Sequence, residues 1–300
     1  PDVVTGNPAT MVPAILLATD LSSRCDRAFE RACVLAAAWG ATLHVVTAVE
    51  GDVRQPSWRS TSNRALDRMR ADVAEALGVR PLSWEPAVAV GPVHEVVIDT
   101  AARVAAELIV IGAAGNELLG RHRPGRTVET LIRESPVPVL VVRRRAIREY
   151  RRIFLPTDYS QAAEFALLRA IALFPHAQFT LLHGYRVPFA GFLSDVAHRG
   201  EMEELALRQQ AEFIARVEAK TGRSGRVLGF VECGEPGRLV ADYVGETAPD
   251  LMVLGAHDHA GIWGALSVDV AGRLLMMAGC DVLVVPEASE LRRPTAAMTR

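Results

Sequence analysis

Three spaced glycines, in Gly112-Ala-Ala-Gly115 followed after nine residues by Gly125, form the pattern in this chain best suited to holding phosphate. Glycine lets backbone amides approach phosphate oxygens where a Cβ would obstruct them. A helix starting just beyond Gly125 would aim free amides and its positive dipole end at the same anion. Arg121, His122, Arg123 and Arg126 surround the loop with further donors. Asp20 closes an apolar run and adds a carboxylate that could accept from a ribose hydroxyl or a base-edge amine. The same carboxylate, with Ser22 or Ser23, could instead cap the helix that follows, and the glycines and arginines could be plain turns and a solvated loop face.

These residues need a scaffold, and the apolar pattern supplies one. In the first half, short apolar runs at Ala14–Ala18, Leu43–Val49, within Leu82–Val90, at Leu108–Ile111 and at Pro138–Val142 predict strands. Between them lie helical patterns carrying Phe29, Ala32, Cys33 and Ala36, then Leu66, Met69, Val73, Ala76 and Leu77, then Val93, Val96, Val97 and Ala101. A last helix is expected near Thr127–Arg133. Gly40 stops the first helix, and Gly91-Pro92 turns the chain into the third.

The order then returns. Ile15-Leu-Leu-Ala-Thr-Asp20 is echoed by Ile153-Phe-Leu-Pro-Thr-Asp158, Leu108–Gly112 by Leu251–Gly255, and Pro138–Val142 by Asp281–Val285. Further strands are expected near Arg152–Leu155, Phe179–His183 and Arg226–Val231, and a long helix over Asp195–Thr221 with Leu205, Phe213 and Val217 on its apolar side. Alternating strands and helices favour parallel sheets covered on both faces by right-handed crossovers. The expectation is an α/β chain of two tandem open five-stranded parallel sheets, with domains at 1–145 and 146–300. A basic connector, Arg143 to Arg152, reads as a solvated linker between them.

Composition narrows the function. Half of the 300 residues are apolar, enough for two cores, and a net charge of −2 gives no general attraction to DNA, RNA or an anionic membrane. Cys25, Cys33, Cys233 and Cys280 lack metal or redox spacing and read as small core or near-core residues in a reducing compartment. No apolar run reaches membrane-spanning length, so the chain reads as soluble and cytoplasmic.

The combination of Asp20, Pro92, Gly112-Ala-Ala-Gly115 with Gly125, and the closing Val137-Pro-Val-Leu-Val-Val142 resembles the universal stress protein family in its tandem form, over residues 12 to 286. The resemblance implies an adenine-nucleotide-alpha-hydrolase-like (Rossmann-like) fold and ATP or another adenine nucleotide as ligand, with Mg2+ as an optional companion. It assigns the adenosine portion to Asp20 and to strand-two backbone around Val45 and Val46. It assigns phosphates to Gly112, Gly115, Gly125 and a following hydroxyl. That hydroxyl is displaced here: Arg126 follows Gly125, and Thr127 comes one place later. Arg126 either makes a charge-assisted phosphate bond or fills the pocket with its bulk. The resemblance also implies a pseudo-twofold pairing of the halves through Val139–Val142 and Val282–Val285, with a homodimer or a protein partner as further possibilities.

The second half departs from the pattern. Asp258 stands for the second glycine and Val268-Asp269 for the final pair, so no nucleotide is expected there and Asp158 reads as an N-cap. His257, Asp258 and His259, with His183 or Asp158, invite a metal reading, but adjacent loop residues do not readily converge on one ion, and no metal site is expected. Neither a nucleophile–base–acid set nor a Walker sequence is present, so binding outranks turnover. The leading expectation is a stress-response regulator that binds an adenine nucleotide in its first domain. A nucleotide-independent structural or interaction module and a slow magnesium-dependent ATPase are the alternatives.

Overall fold

In the computed structural model, residues 12–49, 57–77, 81–113, 117–118, 121–122, 125–186, 195–222, 224–256 and 278–286 are described. The first half contains β1 (Ala14–Ala18), α1 (Asp26–Trp39), β2 (Thr42–Val49), α2 (Ser57–Leu77), β3 (Trp84–Val90), α3 (Val93–Arg103) and β4 (Leu108–Gly112). A two-rung antiparallel hairpin, β5 (Glu117–Leu118) and β6 (Arg121–His122), precedes α4 (Arg126–Glu134) and β7 (Val139–Val142). The second half follows with β8 (Arg152–Pro156), α5 (Gln161–Leu173), β9 (Gln178–Tyr185), α6 (Asp195–Thr221), β10 (Val227–Cys233), α7 (Pro236–Thr247), β11 (Leu251–Gly255) and β12 (Asp281–Val285).

Each half is the expected five-stranded parallel sheet, and the two are joined. The strands run β10-β9-β8-β11-β12-β7-β4-β1-β2-β3 in one ten-stranded sheet. Every pairing is parallel except that of β12 with β7, where Val282 lies opposite Val141, Leu283 opposite Leu140 and Val284 opposite Val139. That register is symmetric about Leu140 and Leu283, as a local twofold requires. Pairing the two closing strands also covers one of the two edges that each half alone would expose, leaving β10 and β3 at the rims.

Strand residues alternate between two cores. Ile15, Leu17, Leu155 and Val253 pack with Ala28, Ala32, Met69, Phe213 and Val217 on the face covered by α1, α2, α5 and α6. Leu16, Ala18, Phe154 and Leu254 pack with Val96, Val128 and Val240 on the face covered by α3, α4 and α7. Both clusters contain residues of both halves, so the hydrophobic driving force acts across the junction as well as within each half.

Three local expectations are corrected. On α6 the buried stripe is Ala206, Gln210, Phe213 and Val217, while Leu205 is exposed, one helical position off the seam. Cys25, Cys33 and Cys280 are buried, but Cys233 is exposed at the end of β10, an edge strand. The basic connector is solvated as expected at Arg144, Arg145, Arg148 and Glu149, but it is also anchored: Tyr150 is buried, Arg27 Nη1 donates to the Arg143 carbonyl at 2.7 Å, and Arg31 Nη1 donates to the Arg148 carbonyl at 2.6 Å.

Candidate functional site

Within the first half the chain leaves β1 toward β2 and β3 on one side and resumes with β4 and β7 on the other. The ends of β1 and β4 therefore diverge at a topological switch point, where open α/β sheets form ligand crevices. Asp20 follows β1 and Gly112 ends β4, so the parallel pairing of these strands brings the two predicted residues to the same end of the sheet.

A tight turn fixes Asp20. Thr19 N donates to the Val46 carbonyl at 3.0 Å, Leu21 N to Thr19 Oγ1 at 3.0 Å, and Ser22 N to Asp20 Oδ1 at 2.9 Å. Leu21 adopts φ 58°, a left-handed conformation that a leucine accepts only when its surroundings dictate it. The capping reading of Asp20 is corrected: Ser22, the other capping candidate, occupies the N-cap position of the short 3-10 turn Ser23–Cys25 without a side-chain cap bond, and Asp20 instead closes an Asx turn.

The two oxygens of Asp20 are used unequally. Oδ1 accepts from Ser22 N, from Ser22 Oγ at 2.6 Å and from Cys25 Sγ at 3.1 Å. Among the described residues Oδ2 accepts no hydrogen bond, and the residue is exposed. Partial burial raises the carboxyl pKa, but the Ser22 hydroxyl and amide, the Cys25 thiol and the Arg24 charge outweigh it, leaving the group below its ordinary range. Asp20 is therefore an ionised acceptor with one oxygen committed to the fold.

Val45 and Val46 turn their side chains into the two cores, so only their backbone is available to a ligand, and the Val46 carbonyl already accepts from Thr19. Gly125 is the N-cap of α4, with φ −67° and ψ 155°, and Glu129 N donates back to its carbonyl at 3.2 Å. The amides of Arg126, Thr127 and Val128 precede that first helical bond and have no intrahelical acceptor. Arg126 is exposed and Thr127 half-buried at this helix start. Arg121 lies on β6, whereas Gly115 and Arg123 lie outside the described residues.

The second half repeats the turn. Thr157 N donates to the Leu182 carbonyl at 2.9 Å, Tyr159 N to Thr157 Oγ1 at 3.0 Å, and Ser160 N to Asp158 Oδ1 at 2.9 Å. Tyr159, at φ 62°, takes the place of Leu21. Asp158 is not the N-cap expected of it, because Ser160 caps α5 and accepts from Ala163 N. The Tyr159 ring stacks on His183 at 4.4 Å, and its hydroxyl donates to Gln210 Oε1 at 3.4 Å. His183 Nδ1 lies 2.9 Å from the Thr157 carbonyl, and burial holds its pKa below the ordinary value. A neutral ring donating from Nδ1 satisfies both facts.

Among the described residues no group of three or more His, Cys, Asp or Glu side chains could hold a metal. The readings placed on His257, Asp258, His259, Val268 and Asp269 lie outside those residues. The paired Thr-Asp turns go beyond the sequence expectations, although the echo of Thr19-Asp20 in Thr157-Asp158 is their visible signal.

An open, mostly parallel sheet whose strand order reverses beside β1, covered by helices on both faces, defines the doubly wound α/β class. Within that class, residues 11–143 and 149–286 each match the Universal stress protein family, and the chain belongs to that family. It is 34% identical over 137 residues to a Thermus aquaticus protein described as a universal stress protein in the QAH/OAS sulfhydrylase 3′ region, covering 44% of this chain and 100% of that one. The crystal structure of a universal stress protein from Archaeoglobus fulgidus matches with a TM-score of 0.64 at 15% identity, over 91% of this chain and 98% of that one. A functionally unknown protein from Pseudomonas aeruginosa matches with a TM-score of 0.62 at 18% identity, over 94% and 95% of the two chains. Among the described residues no helix is long and apolar enough to cross a membrane.

Proposed function

We propose that residues 1–145 form a regulatory domain that binds an adenine nucleotide, ATP foremost, in the crevice beyond β1 and β4, and that residues 146–300 form a paired domain without that ligand. The observation that carries the reading is the division of labour at Asp20: Oδ1 closes the turn, while Oδ2 is left as an ionised acceptor at the switch point. The free amides at the start of α4 supply the complementary phosphate-binding end. Exposure of Arg126 supports a phosphate contact over a plugged pocket, since a plugging side chain would be buried. In the second half, Tyr159 over His183 puts an aromatic side chain where the first half has Leu21, which supports the loss of the ligand there. Binding, rather than turnover, is the proposed output.

The test is calorimetry of the full chain with ATP, ADP and AMP, with and without Mg2+. One equivalent of nucleotide is expected to bind. Arg126→Ser should weaken ATP about tenfold or more, the scale of a hydrogen bond to a charged group. An increase in affinity would assign Arg126 to obstruction, and no binding of any of the three nucleotides would remove the proposal.

A further inference from the structure

The anchored connector borders a second, separate feature, open to solvent on one side. A cavity of about 210 Å³ is lined by Arg31 of α1, by Arg144, Arg145, Ile147, Arg148, Glu149 and Tyr150 of the connector, and by Asp250 just before β11. It is outside the crevice described above and shares no residue with it.

The charges around it do not cancel. Arg31 lies 3.3 Å from buried Asp281, and Asp250 is already engaged by the amides of Arg151 and Arg152, both at 3.0 Å, with the Arg152 guanidinium at 3.8 Å. Setting those two pairs aside leaves the guanidiniums of Arg144, Arg145 and Arg148 against the single carboxylate of Glu149. None of these three guanidiniums has a hydrogen bond or ion pair among the described residues. Their backbone is nevertheless held: Arg144 N donates to Asp281 Oδ1 at 2.8 Å, and the Arg148 carbonyl accepts from Arg31. Like charges gathered on a pinned loop are unfavourable unless an anion joins them.

Arg31 forms the rigid back of the cavity: it is only 5% exposed, its Nε pairs with Asp281 Oδ2 at 3.3 Å, and its Nη1 donates to the Arg148 carbonyl at 2.6 Å. The groups left to bind an anion are therefore the three guanidiniums of Arg144, Arg145 and Arg148 at its mouth.

We propose that this cavity binds a small phosphate dianion. Planar guanidinium forks match phosphate oxygens in pairs, and two surplus positive charges match a dianion. The space of about 210 Å³ suits a small anion, being below the roughly 300 Å³ of a typical small-molecule pocket. Because Arg31 belongs to the first half, Asp250 to the second and the rest to the connector, an occupant would touch all three parts at once.

The experiment is titration of the full chain with inorganic phosphate, followed by calorimetry and by thermal melting. Saturable binding that raises the melting temperature is expected. Arg144→Gln with Arg148→Gln should weaken it about tenfold or more without lowering the ligand-free melting temperature, because both side chains are exposed and their mutual repulsion is relieved. Gly125→Val, which alters the nucleotide crevice, should leave phosphate binding intact. The source of the phosphate is separated by co-sedimentation with phosphatidylcholine vesicles carrying or lacking phosphatidic acid. Binding to the acidic vesicles without binding to inorganic phosphate overturns the proposal in favour of a lipid surface. Phosphate binding that survives the double replacement, or that disappears in Gly125→Val, overturns it in favour of another site.

Discussion

Gly112 and Gly255 stand at the ends of matching strands and face the chain that opens the first helix of their half. A Cβ at Gly112 would lie 3.4 Å from the Arg24 carbonyl oxygen, an ordinary contact. A Cβ at Gly255 would lie 2.8 Å from the Ala162 carbonyl oxygen and 3.0 Å from its carbon, where backbone itself would have to shift. Gly255→Ala is therefore expected to destabilise the protein by about 1–3 kcal/mol in urea unfolding. Gly112→Ala should be close to neutral, because the unfolded chain also loses freedom. Equal costs at both positions would contradict this packing account. The comparison also moves weight within the first site: a glycine present in both halves and required for packing in one of them is poor evidence for a ligand. Asp20 Oδ2 and the amides beyond Gly125 carry more of that reading.

At the scale of elements, Glu164 couples α5 to α6. It is largely buried on α5 and takes hydrogen bonds from Lys220 Nζ and, at 3.3 Å, from Arg216 Nε, both on α6. The Lys220 bond lowers the Glu164 pKa most, partial burial opposes it, and Arg216 adds to the lowering, so the folded value lies below 4.5. A carboxylate depressed on folding contributes stability that is fully present above its unfolded pKa and is lost as pH falls through the folded one. Wild-type stability should thus decline as pH drops below 4.5, and Glu164→Gln should flatten that decline while lowering stability at neutral pH. A variant with an unchanged acid slope would show that the bridge is screened away.

Lys220 is the sole lysine of the chain, yet nothing local in the sequence pointed to Glu164, 56 positions earlier. Elements themselves were more legible. Ala14–Ala18 and Asp195–Thr221 match the expected bounds, since a strand buried on both faces is a short apolar run and a long helix declares its period. The hairpin β5–β6 falls in a stretch whose sequence reads as loop, because two-residue strands carry no period. Leu205 misled because a helical stripe is set by tertiary contact, and Ala206 and Gln210 occupy the seam instead. For the candidate site, residue types at Asp20, Gly112 and Gly125 were legible, but not which Asp20 oxygen was committed, since that depends on turn geometry.

Across the whole molecule, the two halves are locked by one buried carboxylate. Asp281, fully buried at the start of β12, accepts from Arg143 N at 2.7 Å and Arg144 N at 2.8 Å through Oδ1, and from Tyr150 Oη at 2.6 Å through Oδ2. Arg31 lies 3.3 Å from Oδ2, and its guanidinium covers the Tyr150 ring at 4.1 Å. Burial and the Asp281 charge push the Tyr150 pKa well above its ordinary value, so the phenol stays a donor. The cluster thus ties α1, the connector and β12 together, beside the β7–β12 junction and the cores that cross it. Removing the carboxylate strands every one of these donors at once. Asp281→Ala should cost about 3–5 kcal/mol, the scale of orphaning a buried charge. Arg31→Met should cost less, because Asp281 would keep three donors. Calorimetric unfolding provides the measurement, and wild type should melt in a single cooperative transition because neither core stops at the junction. Two resolved transitions in wild type, or an Arg31→Met cost equal to that of Asp281→Ala, would show that the halves fold as independent units or that the charge pair alone holds them together.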